Sequence, residues 1–183
     1  YELRQEMLNI ISVDFWNSPK RIFEPCCGKG GFLIDIIDRF MIGLSSMIPD
    51  EKMRYKVIVE ECLYFSDINP TNIFICKLLI NPYNEYSLHW NEGNTLELNI
   101  QEKWSIDGFH AIIGNPPYNE ELTSVGAKPL YHKFIEYYVN KCNLLSFIVP
   151  SRWFAGGKGL DKFREMMINR TDILYIKHYI QFF

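Results

Sequence analysis

The chain has 183 residues, 48% of them hydrophobic, enough for one well-filled core and short for two domains. Its 19 basic and 22 acidic side chains leave a net charge of -3, so any contact with nucleic acid has to come from a local patch rather than from overall attraction. Five scattered cysteines without a CxxC pair argue against zinc and a disulfide framework, and the lack of a bilayer-length apolar run or a targeting pattern leads us to expect a soluble, cytoplasmic, non-membrane protein.

Taken in order, the periodicities predict a helix from Glu2 to Ile11, a strand from Arg21 to Glu24, and, after a glycine-rich turn, a helix whose apolar face is Leu33, Ile36, Ile37 and Phe40. A helix over Asp50 to Glu61 precedes a strand from Cys62 to Ser66, and Pro70 opens a helix that runs to Ile80, where Asn81-Pro82 stops it. A strand from Ser87 to Asn91 is followed by a polar connection holding Trp104 and Asp107, then by a strand that ends at Asn115. Next come a helix from Pro129 to Cys142, a strand from Leu144 to Val149, a helix from Leu160 to Ile168 and a last strand from Ile173 to Ile180. Strand and helix alternate throughout, which predicts an α/β fold: a doubly wound, mainly parallel sheet with helices on both faces.

The segment Phe23, Glu24, Pro25, Cys26, Cys27, Gly28, Lys29, Gly30, Gly31, Phe32 sets glycines between a strand and a helix, where backbone can approach a ligand closely. Gly30, not Ser or Thr, follows Gly28-Lys29, and Gly159 follows Gly157-Lys158, so neither is a phosphate-gripping loop. The third glycine of a dinucleotide fingerprint would fall at Leu33, so NAD is not expected either. At the end of the second strand stands Asp67, placed to accept ribose hydroxyls or to cap the helix that begins at Pro70. Its distance from Gly30 exceeds the ~20 residues usual for such folds, and the extra helix at 50–61 accounts for the surplus. Asn94, in the turn after the third strand, reads equally as a contact to an adenine ring and as an ordinary turn residue.

Asn115, Pro116, Pro117 and Tyr118 follow the apolar run Phe109 to Gly114 and so lie at the carboxyl end of a buried strand, the place where open α/β sheets bind ligands. An amide oxygen, a proline carbonyl and an aromatic ring together can grip a planar amine; the plainer reading is an Asn-Pro turn. Downstream, Ser151, Arg152, Trp153, Phe154 and the Gly156 to Gly159 loop follow the fifth strand on the same edge, either lining a base pocket and meeting phosphates or forming a basic-aromatic surface loop.

Together EPCCGKGGF, SDINP, EGNTL and GNPPYN, in this order and at these strand ends, resemble the N6-adenine DNA methyltransferases of restriction-modification systems, in the class with a carboxyl-terminal target-recognition region. The resemblance covers nearly the whole chain and extends to FIVPSRWFAGGKGLDKFREMM. It implies a Rossmann-like class I methyltransferase fold truncated before its last strand, residues 1–183 being a catalytic domain cut from a longer protein without its target-recognition region. S-adenosylmethionine is the implied cofactor, with no metal needed. Glu24, Pro25, Cys26, Gly28, Gly30 and Phe32 would wrap it, Asp67 would hold its ribose, Ile68 would pack on its adenine and Asn94 would sit near the adenine amine. Asn94 departs from the Asp common in the family. Asn115, Pro116, Pro117 and Tyr118 become the implied catalytic set, and Tyr118, Arg152, Trp153 and Lys158 the DNA-substrate contacts. DNA is the implied partner, with a restriction endonuclease domain or subunit beside it. The NPPY tetrapeptide also serves methyltransferases acting on a protein glutamine or on RNA guanine, and a non-catalytic DNA-binding subunit of the same fold is a third reading.

Overall fold

The computed structural model describes residues 2–120, 128–170 and 172–179. Five parallel strands, β1 (Ile22–Glu24), β2 (Leu63–Asp67), β3 (His89–Glu92), β4 (Phe109–Gly114) and β5 (Cys142–Phe147), form one sheet in the order β3-β2-β1-β4-β5. The chain therefore steps one way from β1 to β3 and then jumps back to the other side of β1. The register is Ile22 opposite Leu63 on one side and Ala111 on the other, so β1 is the central strand.

Side-chain alternation along these strands divides the core in two. Ile22, Leu63, Phe65, Ala111 and Ile113 face a layer formed by α1 (Glu2–Ile10), α2 (Gly31–Gly43), α3 (Glu51–Val57) and α4 (Pro70–Ile80). Phe23, Tyr64 and Ile112 face the opposite layer, where α5 (Ile100–Trp104) and α6 (Tyr131–Tyr138) contribute Ile100, Phe134 and Tyr138. Phe23 stacks on Phe109 at 4.9 Å and meets Tyr138 edge-on at 5.6 Å. At about 1.5–3 kcal/mol for each such side chain removed from water, this two-sided burial is the main source of stability. A third, smaller cluster joins Tyr131 and Ile135 of α6 to Trp153, Leu160 and Phe163, the last on α7 (Asp161–Asn169).

Most predicted elements recur with shifted ends. The apolar stripe Leu33, Ile36, Ile37, Phe40 is buried, and Pro70 does open a helix ending at Ile80. The helix predicted over 50–61 is capped by Asp50, whose side chain accepts from the Met53 amide, and its last turn, Ile58–Cys62, is wound as a π-helix. Pro129 is held in a bridge with Asn119 and Cys142 already belongs to β5, so α6 is shorter than its sequence pattern. The connection around Trp104 is not merely polar: Asn99 caps α5 there, accepting from the amides of Gln101 and Glu102. The strand predicted from Ile173 to Ile180 is corrected within the described residues. Residues 172–179 form no strand, and they return beside α1, where Lys177 pairs with Glu6 at 2.8 Å. No helix among the described residues is long and apolar enough to cross a membrane.

At the amino-terminal edge of the sheet, His110 of β4 is locked to the chain just before β1. The Arg21 amide donates to His110 Nδ1 at 2.9 Å, and the His110 amide donates to the Arg21 carbonyl at 2.9 Å. Burial first, then the charges of Arg21 and Lys20, hold this imidazole below its ordinary value near 6.5. The unfolded chain then binds more protons than the folded one just below pH 6.5, so stability falls as pH drops through that range. His132 shifts in the same direction, and its share persists when His110 is replaced. We expect His110→Asn, which keeps an acceptor, to show a smaller loss of urea midpoint between about pH 7.5 and 5.5 than the wild type; equal losses would refute the assignment.

Candidate functional site

The strand order reverses between β1 and β4, whose following helices lie on opposite faces of the sheet, and such a switch point is where open α/β sheets bind ligands. β1 leads into the turn 25–30 and then α2, while β4 leads into Asn115, Pro116, Pro117 and Tyr118. The two exits are neighbours: a Cβ built on Gly114 would lie 3.5 Å from Pro25 Cδ and 3.8 Å from Glu24 Cγ. Most of the residues expected to act together therefore share one edge, as the parallel pairing of β1 with β4 requires.

The glycine turn is shaped by backbone that other residues adopt with strain. Gly28 and Gly30 have φ of 51° and 80°, and a Cβ on Gly30 would press on Cys76 Sγ at 3.2 Å. Asp67, at the tip of β2, fastens this turn. Its Oδ2 accepts from the Gly28 amide at 2.8 Å, and its Oδ1 accepts from the Asn69 amide at 2.9 Å and from Asn72 Nδ2 at 3.1 Å. A carboxylate offers about four acceptor positions, so one remains for a ligand hydroxyl. The helix cap belongs instead to Asn69, whose side chain accepts from the Thr71 amide at 2.9 Å. Ile68 beside it is 72% exposed.

Glu24 carries the main electrostatic tension of the site. It is only 2% exposed, and among the described residues its Oε2 has no hydrogen-bond partner. Burial first, with Cys76, Asp67 and Asp35 adding to it, holds this carboxyl well above the usual carboxylate range, against an opposing pull from Arg4. A buried carboxyl oxygen without a partner can take up a donor or a cation. Cys26 is half-buried and burial pushes its thiol up, so it packs rather than reacts. Phe32 is only 4% exposed, below the guanidinium of Arg4 at 6.0 Å; it holds the start of α2 rather than lining open space.

Asn94 caps the short 3-10 turn Thr95–Glu97, accepting from the Leu96 amide at 3.2 Å and donating from Nδ2 to Glu97 Oε1 at 2.7 Å. It stands at the tip of β3 on the same edge, with room at its oxygen for a second donor.

On the acceptor side, Asn115 is exposed, Pro116 buried, Pro117 exposed and Tyr118 half-buried. Burial raises the Tyr118 phenol, and a hydrogen bond with the Asn115 side chain opposes that rise, the direction expected of an N–H donated to the phenol oxygen. This loop is closed by the Leu130 amide on the Tyr118 carbonyl at 2.9 Å and by the Glu120 to Lys133 ion pair at 2.6 Å. After β5, Arg152 and Lys158 are exposed, Lys158 with φ of 49° between Gly157 and Gly159. Trp153 differs from them. It is 7% exposed and packed against Phe154 and Phe163 at 4.4 and 5.9 Å, so its role is to anchor this segment.

Sequence reading missed the buried polar residues behind the edge. Ser66, Asn91, Thr95 and Tyr138 are joined by hydrogen bonds, yet no spacing or motif distinguishes a buried threonine from one in a surface turn. Among the described residues no group of three or more His, Cys, Asp or Glu converges as metal ligands do.

Residues 61–183 match the family model described as Eco57I restriction-modification methylase. Among solved structures, the modification subunit of a putative type I restriction enzyme from Vibrio vulnificus is similar over 90% of this chain and 37% of its own, at 15% identity and TM-score 0.60. A putative class I S-adenosylmethionine-dependent methyltransferase from Listeria monocytogenes is similar over 90% and 50%, at 15% identity and TM-score 0.60. The DrdV-DNA complex is similar over 88% and 20%, at 15% identity and TM-score 0.57. At such identities these likenesses establish the fold, a class I methyltransferase sheet, and the chain spans half or less of each structure. No curated protein sequence is matched by the chain.

The raised Glu24 sets a direction for stability. The folded protein holds this proton at pH values where the unfolded chain, near 4.5, has lost it, so the carboxyl costs stability increasingly as pH rises above 4.5. We expect Glu24→Gln to raise the urea midpoint of the ligand-free protein at about pH 7.5, with the gain shrinking toward pH 4.5. A lowered midpoint at pH 7.5 would mean that the carboxylate is internally satisfied.

Proposed function

The chain belongs to the Eco57I restriction-modification methylase family, and on that premise we propose that it moves the methyl group of S-adenosylmethionine to the N6 amine of an adenine turned out of DNA. One observation carries the reading: the glycine turn and the Asn-Pro-Pro-Tyr corner leave the carboxyl ends of two strands that pair directly, β1 and β4, so a donor held by one can face an acceptor held by the other. Methyl transfer needs that proximity above all, since aligning nucleophile, methyl and leaving group supplies much of the acceleration.

On the donor side, Glu24 is the partner for the cofactor's amino group, Asp67 for a ribose hydroxyl and Ile68 for the adenine face, with Asn94 near the adenine amine. Pro25, Cys26, Gly28, Gly30 and Phe32 shape the turn that encloses them. The bound cofactor supplies an activated methyl on a sulfonium, and no metal is required.

On the acceptor side, the exocyclic amine is a weak nucleophile because its lone pair is spread into the ring. The Asn115 side-chain oxygen and the Pro116 carbonyl can both accept its hydrogens, favouring a tetrahedral nitrogen and stabilising the positive charge that grows on it. The hydrogen bond between Tyr118 and Asn115 steadies that amide, and Pro117 stiffens the corner. Turning the base out of the duplex costs a few kcal/mol, which stacking on the Tyr118 ring offsets. Arg152 and Lys158 are exposed cations on the same edge, suited to phosphates in a chain whose overall charge gives no attraction. DNA, and a restriction endonuclease domain or subunit, are the proposed partners.

The test is labelled S-adenosylmethionine with the full-length protein and a panel of DNA, RNA and protein substrates. We expect N6-methyladenine in DNA, and Asn115→Ala to lower the rate by about 100-fold or more while the cofactor still binds. Label appearing instead in RNA or on a protein glutamine, or no label at all, would overturn the assignment.

A further inference from the structure

We propose that Thr95 is a positioning residue for cofactor binding, one that acts by holding the Pro25 carbonyl; the proposal rests on the methyl-transfer reading above. Thr95 is 4% exposed and lies in the turn after β3. Its Oγ1 donates to the Pro25 carbonyl at 2.8 Å and also lies 2.8 Å from Ser66 Oγ. The direction of each bond follows from chemistry. A proline carbonyl only accepts, so the single Thr95 proton goes there, and the Ser66 hydroxyl must donate to Thr95. Ser66 in turn accepts from Asn91 Nδ2 at 3.1 Å. A one-way relay therefore runs from β3 through β2 to the first residue after β1.

The end point of that relay is Pro25, which lies between the two halves of the site. Its ring lies beside the exit of β4, 3.5 Å from where a Cβ on Gly114 would stand, and two residues later the Cys27 amide donates to the Ser66 carbonyl at 2.9 Å. Pro25 has no N–H of its own, so its carbonyl is the group by which the main chain can be held at that point. Thr95 is fixed from the other side as well, because the Tyr138 hydroxyl of α6 donates to its carbonyl at 2.8 Å. Its hydroxyl thus sets where the turn begins, and through the turn where Glu24 and the Gly28 amide stand. Without it the buried Pro25 carbonyl loses its donor and the Ser66 hydroxyl loses the acceptor for its proton, so the start of the turn is held less firmly.

The experiment compares Thr95→Val, which keeps shape and removes the hydroxyl, with Thr95→Ser, which keeps the hydroxyl, in the full-length protein. S-adenosylmethionine affinity is measured by calorimetry, steady-state kinetics are measured on DNA, and amide exchange is followed over residues 26–31. We expect Thr95→Val to weaken the cofactor by about tenfold, as one buried hydrogen bond implies, raising its KM more than it lowers kcat. Exchange in the turn should quicken, cofactor-free DNA affinity should stay unchanged, and Thr95→Ser should restore wild-type values. Ser66→Ala, which leaves the bond to Pro25 intact, should give the same pattern more weakly and serves if Thr95→Val does not fold. Equal impairment by Val and Ser, or wild-type affinity and exchange in Thr95→Val, would overturn the proposal. If the wild type itself binds no S-adenosylmethionine, the methyl-transfer reading fails, and unaltered exchange in Thr95→Val would then dismiss the positioning role separately.

Discussion

The pairing of β1 with β4 is the constraint from which the site follows. Parallel strands lie about 4.8 Å apart, and a register that puts Phe23 opposite Ile112 brings the two carboxyl ends level. The crossovers then carry the chain to opposite faces of the sheet, α2 to one layer and α6 to the other. If β4 were added beside β3 instead, two strands, β3 and β2, would stand between the glycine turn and the Asn-Pro-Pro-Tyr corner, and no side chain could join them. The hydrophobic core maintains this order. Ile22 and Phe23 point to opposite faces of the central strand and both are fully buried, so slipping or reordering the strand would expose one layer and crowd the other.

Around this frame the polar groups divide into those satisfied within the protein and those left for a ligand. Asp67, Ser66, Thr95 and Asn91 are bonded to one another's strands and turns, and they make the edge rigid before anything binds. Glu24 is the exception, buried beside them with one oxygen unpartnered among the described residues. Burial holds a proton on it well above the usual carboxylate range. Preorganisation of this kind is what a transfer reaction gains from, because little rearrangement is left for the reacting complex.

Much of this could be read from the sequence, for physical reasons. The stripe Leu33, Ile36, Ile37, Phe40 has a period only a helix buries, and Pro70 with Asn81-Pro82 punctuates a helix chemically. The motif residues at the ends of β1, β2, β3 and β4 were legible because turns at strand ends need glycine, proline and asparagine for their backbone. Other features depend on tertiary contact and leave no local trace. Phe32 and Trp153 look like site residues in sequence but are packed inside, since an aromatic ring next to a motif has the same letters whether it faces a ligand or the core. Thr95 shows the reverse case. The segment from Ile173 had strand composition, yet composition cannot supply a neighbouring strand to pair with.

The amide of Asn94 bears on how this sequence can vary. Its Nδ2 donates to the Glu97 carboxylate, a bond that aspartate could not make. An acid at position 94 would instead set two carboxylates against each other one turn apart, so residues 94 and 97 should co-vary among relatives. Sequences with aspartate at the first should carry a neutral or basic residue at the second, and those that keep the glutamate should keep the asparagine.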